Sequence, residues 1–77
     1  MNPKDLNFTP KDQWILDYIK VNAVEKYLSP TEIGRAYGES KGEKGYHSSA
    51  SSRSLLKLTR RGLADRNELG HYKYIKK

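Results

Sequence analysis

The stretch HSSASSRSLLKLTRRGLADRN, residues 47–67, decides how the rest of the chain is read. It begins with small hydroxyl residues: Ser48 or Ser49 suits the N-cap of a helix, and Ala50, Ser51 and Ser52 keep its first turns slim enough to pack closely. Leu55, Leu56 and Leu58 follow as an apolar cluster expected to point broadly one way, into a core. Arg53, Lys57, Arg60 and Arg61 fall at i, i+4, i+7 and i+8, a spacing that stacks cations on the opposite face. Gly62 is expected to end the helix. Beyond it the period shortens to two. LADRN at 63–67 and HYKYIKK at 71–77, joined by a turn at Glu68–Gly70, predict a two-stranded hairpin. Tyr72 and Tyr74 share one face of it and His71, Lys73 and Ile75 the other, while Gly70 suits a positive φ at the tip.

Two further helices precede this stretch. In TPKDQWILDYIKVNA, Thr9 is placed to cap, Pro10 opens the first turn, and Asp12 supplies a carboxylate beside the exposed amides. Trp14, Ile15, Tyr18 and Ile19 form its apolar stripe, with Lys11, Asp12, Asp17 and Lys20 off it. YLSPTEIGRAYG repeats the pattern, with Ser29 as cap, Pro30 first and Glu32 completing a capping box, while Leu28 and Ile33 are spaced as a hydrophobic staple. This second helix is expected over 30–37, ended by Gly38, and Tyr27–Leu28 is expected to form a brief strand. GESKGEKGYH at 38–47 reads as an exposed, mobile connection. It does not have the glycine, lysine and hydroxyl spacing of a nucleotide-binding loop. Residues 1–8 are expected to be a flexible arm and 9–77 the folded domain.

At 77 residues the chain has room for one small core. With 0 cysteines, neither disulfides nor a thiolate zinc site can support that core, so regular secondary structure must do so. The longest apolar run is Trp14–Leu16, and the start MNPKDLNF has no apolar leader, so a membrane role is not expected. Charge is unequally shared: residues 1–40 carry 5 bases and 6 acids (5 − 6 = −1), and residues 41–77 carry 10 bases and 3 acids (10 − 3 = +7). A one-sided basic surface suits a polyanion, nucleic acid before anionic membrane, although a solvated basic face that aids solubility has the same composition.

The order helix, short strand, helix, helix, hairpin is that of a winged helix-turn-helix. Leu58, Gly62, Leu63 and Arg66 resemble a pattern shared by that DNA-binding family, including bacterial regulators of the MarR type, and the resemblance covers about residues 9–76. It implies an α+β fold, a three-helix winged helix-turn-helix with a C-terminal β-hairpin wing. It also implies a cytoplasmic transcriptional regulator or a phage or mobile-element DNA-binding protein. In such proteins the third helix enters the major groove and the wing touches the backbone or minor groove. The segment between the second and third helices, about ten residues, is longer than the usual tight turn. The extra helices with which many such regulators dimerise are absent, so the oligomeric state stays open.

Chemistry sorts the candidate DNA contacts. Arginine pairs bidentately with guanine, serine bonds to bases or phosphates, and lysine neutralises phosphate. Ser49, Ser52 and Arg53, in the N-terminal half of the third helix, are therefore the candidate base readers, and Lys57, Arg60 and Arg61 the candidate phosphate anchors. Arg66, His71, Lys73, Lys76 and Lys77 supply cations to the wing. Competing structural roles exist: serines also cap and pack, Arg60 and Arg61 also offset a helix dipole, and Tyr72 and Tyr74 are read as core. His47 and His71 have no cysteine or paired carboxylate nearby, so no metal or cofactor is expected, and no constellation for catalysis is evident. Double-stranded DNA is the expected partner. The alternative is a winged helix that binds another protein without DNA, because fold does not fix function; an RNA-binding role or an unrecognised enzyme is a remoter option.

Overall fold

Thr9 and Pro10 start the first helix where the sequence places it. The computed structural model describes residues 8–42 and 48–76, with backbone alone for residues 48–50. Three helices, α1 (Pro10–Asn22), α2 (Pro30–Ser40) and α3 (Ser48–Arg60), precede two antiparallel strands, β1 (Ala64–Arg66) and β2 (Tyr72–Tyr74). This is the expected α+β, winged-helix-like arrangement of three helices and a hairpin. Among the described residues, no helix is long and apolar enough to cross a membrane.

The caps differ from expectation in an instructive way. At α1 the box is reciprocal: the Thr9 amide donates to Asp12 Oδ2 at 2.9 Å and the Asp12 amide donates to Thr9 Oγ1 at 3.1 Å. At α2 only half of the expected box forms, with the Glu32 amide donating to Ser29 Oγ at 3.1 Å and Glu32 itself exposed. Helix α2 also runs past Gly38 to Ser40, which corrects its expected end. Gly38 is buried inside the helix, and it is Gly42, at φ 73°, that takes the left-handed conformation. The connection to α3 therefore shortens to residues 41–47. The mobile-loop reading of residues 43–47 and the capping roles of Ser48 and Ser49 lie outside the described residues or side chains.

Gly62 does stop α3. Its amide donates to the Thr59 carbonyl at 3.0 Å and the Leu63 amide donates to the Leu58 carbonyl at 2.9 Å, the paired bonds of a Schellman end, with Gly62 at φ 74°. Leu63 packs against the core and turns the chain into β1.

The core gathers Ile15, Leu16, Ile19 and Ala23 with Leu28, Ile33, Leu55, Leu58, Ala64 and Tyr72. Leu28 and Ile33 both enter it, as a staple requires, and Ser51 Oγ donates to the Pro30 carbonyl at 2.8 Å, so the slim start of α3 lies against the first turn of α2. Trp14 and Tyr18 are half-buried and stack at 5.3 Å, with Tyr37 of α2 edge-on to Trp14 at 5.3 Å.

The hairpin pairs Ala64 with Tyr74, Asp65 with Lys73 and Arg66 with Tyr72. Strand β2 is also bonded on its other edge. Leu28 and Tyr72 exchange both backbone bonds at 2.8 Å, and the Tyr74 amide donates to the Ala23 carbonyl at 2.8 Å. The brief strand expected at Tyr27–Leu28 is thus a single bridge at Leu28. At the tip, Asn67 Oδ1 accepts from the amides of Leu69 and His71 at 3.0 Å each, and Gly70 sits at φ 77°.

Candidate nucleic-acid interface

Helix α3 turns about 100° per residue, and its buried residues Ser51, Ser54, Leu55 and Leu58 define the side against the core. The opposite side is then a row formed by positions 49, 53, 56 and 60. Arg53 and Arg60 are exposed, and neither has a hydrogen-bond, ion-pair or ring partner among the described residues. Leu56 lies between them, 41% exposed. That corrects the expectation that the three leucines share a direction: Leu55 and Leu58 are fully buried and Leu56 faces out. Ser52 is half-buried on the flank of the row, and the side chain of Ser49 lies outside the described residues.

Lys57 does not belong to the outward row, a second correction. Its ammonium reaches Asp12 Oδ2 at 2.6 Å, across to the start of α1. Asp12, expected off the core, is only 2% exposed beneath α3. Burial pushes its carboxyl upward, but hydrogen bonds from Lys57, Ser54 and Thr9 outweigh that and lower it from 3.8 to about 2. A carboxylate so deeply placed needs those partners, because an unpaired charge there costs several kcal/mol. Lys57 therefore ties α3 to α1 through Asp12.

The other candidate cations differ in their surroundings. Arg61, past the end of α3, lies 5.1 Å from the ring centroid of Phe8, which itself packs against the core. Arg66 is exposed near the hairpin tip, with its guanidinium beside Gly70. His71 is half-buried, its amide held by Asn67. Lys73 stands over the Tyr27 ring at 5.0 Å, opposite Asp65. The Tyr27 hydroxyl donates to that Asp65 carboxylate, and the bond holds the hydroxyl above its ordinary pKa. Lys73 thus shares its face with an acid, which reduces its value as a phosphate contact. Lys76 is exposed beyond β2, and Lys77 lies outside the described residues.

Sequence reasoning missed the Asp12–Lys57 link and the Tyr27–Asp65–Lys73 cluster. The Asp12–Lys57 and Tyr27–Asp65 bonds join residues 45 and 38 positions apart, with no local signal. The outward turn of Leu56 did have a signal, since adjacent residues on a helix differ by about 100°. Among the described residues no group of His, Asp and Glu is arranged to hold a metal. Comparison of the chain with protein-family models, with curated proteins and with solved structures finds no match.

Proposed function

We propose that the chain is a double-stranded DNA-binding module of winged-helix type, a regulator or a phage or mobile-element protein acting in the cytoplasm, rather than an enzyme. The observation that carries this reading is the outward row of α3, where Arg53 and Arg60 project without partners among the described residues from a helix whose other side is buried. In helix-turn-helix proteins the recognition helix presents such a row to the major groove, its N-terminal residues meeting base edges. Arg53 is then the base reader, with the bidentate fork that matches guanine O6 and N7. Arg60, Arg66 and Lys76 are the phosphate contacts, and Arg61 and Lys73 contribute field from their ring-bound positions.

Titration of a labelled duplex at several salt concentrations tests the reading. With about four phosphates neutralised, log K against log salt should slope by about −3 to −4. Arg53→Ala should cost about 1 to 3 kcal/mol on a selected site and relax preference there, whereas changing Lys76 and Lys77 together to Ala should weaken all duplexes alike. A flat salt response, or no binding at low salt, excludes the DNA role and leaves the protein-binding alternative.

A further inference from the structure

We propose that Leu56 is a specificity-determining residue that contacts the C5-methyl group of a thymine beside the base pair read by Arg53. The inference rests on the DNA-binding reading and extends it to a second base. The core does not use Leu56: Leu55 and Leu58, its neighbours on α3, are 0% exposed, while Leu56 is 41% exposed. Single exposed leucines are ordinary on protein surfaces. The position of this one is what matters, since it occupies the middle of the row between Arg53 and Arg60, the place on α3 that faces whatever the two arginines face.

Its chemistry narrows the target. Leucine has no donor or acceptor, so it can neither hold a phosphate nor read a hydrogen-bonding base edge. The one apolar feature that distinguishes a base in the major groove is the thymine methyl. The distance also fits. Three residues of helix advance about 4.5 Å, so Arg53 and Leu56 fall within one to two base-pair steps of each other. Arg53 and Arg60 on either side supply the charge that draws the row onto a polyanion, and Leu56 supplies selectivity without charge.

The test begins with a preferred duplex selected from a random pool, in which each thymine is replaced singly by deoxyuridine. That exchange removes only the methyl group and keeps base pairing. At one position the exchange should weaken wild-type binding about 4-fold, the value of one buried methyl group. Leu56→Ala should bind the thymine duplex with a similar loss and be indifferent to the exchange, and its circular dichroism should match wild type. Wild-type indifference at every thymine overturns the proposal, as does a variant that keeps the sensitivity or a pool that yields no preferred site. Sedimentation as a dimer that Leu56→Ala dissolves would assign the leucine to contact between copies and also overturn it. Failure of both proteins to bind any duplex at low salt would instead remove the DNA-binding reading beneath it.

Discussion

Arg53 and Lys57 stand one turn apart on α3 with the same charge, yet one belongs to the outside of the helix and the other to its seam with α1. The seam holds a carboxylate, Asp12, which is 2% exposed and bonded by Lys57, Ser54 and Thr9. The outside holds Arg53, Leu56 and Arg60, all exposed. The lesson is that a cation's role on a helix is set by what the neighbouring helix presents to it. Lys57 is drawn inward because Asp12 cannot be left alone, and Arg53 stays outward because nothing described opposes it.

Core substitution offers the harshest test of this division. Leu58→Ala should cost about 3 kcal/mol, since the leucine is fully buried and its removal leaves a cavity. In a domain this small that lowers Tm by more than about 10 °C in a thermal melt. A loss under about 1 kcal/mol would mean that the inner side of α3 tolerates rearrangement and does not fix which residues face out.

The seam should respond to acid. The Asp12 carboxyl is lowered in the folded protein, so its contribution is fully present above its unfolded value of 3.8 and is lost as pH falls through about 2. The shift corresponds to about 2 kcal/mol. Unfolding free energies from urea titrations of the wild type should therefore drop between about pH 5 and pH 2 by that amount more than those of Asp12→Asn, which keeps the shape and removes the charge. Parallel curves for the two proteins would show that the pair with Lys57 adds no net stability.

The outward row should show the smallest effect on folding. Arg53→Ala and Leu56→Ala should each change unfolding free energy by no more than about 0.5 kcal/mol, as surface substitutions do. A loss above about 1 kcal/mol at either position would place it in the packing and erase the contrast between the two sides.

Much of the frame was legible because it is written locally. Thr9, Pro10 and Asp12, then Ser29 and Pro30, mark helix starts within four residues, and Gly62 and Gly70 sit where the chain must turn. The end of α2 was not legible in the same way. Gly38 and Gly42 are equally good stops in sequence, and only burial of Gly38 within the helix separates them. The outward row was half legible: Arg53 and Arg60 follow from spacing, but Lys57 has the same spacing and leaves the row for a carboxylate 45 positions away. Periodicity reports which residues share a helix face, whereas the partner of a charged side chain is decided by the packed neighbour.

The double bonding of β2 separates where the wing is from how long it is. Leu28 and Ala23 clamp the strand at its two ends, Tyr72 and Tyr74, while the tip from Asn67 to His71 closes on its own hydrogen bonds. Two residues added between Arg66 and Asn67, and two more between His71 and Tyr72, would carry the tip about 7 Å further out and leave Tyr72 facing inward. One residue on each side would instead invert the pleat beyond the clamp. The reach of the wing is therefore a length that descendants of this sequence can alter in steps of two without touching the three helices.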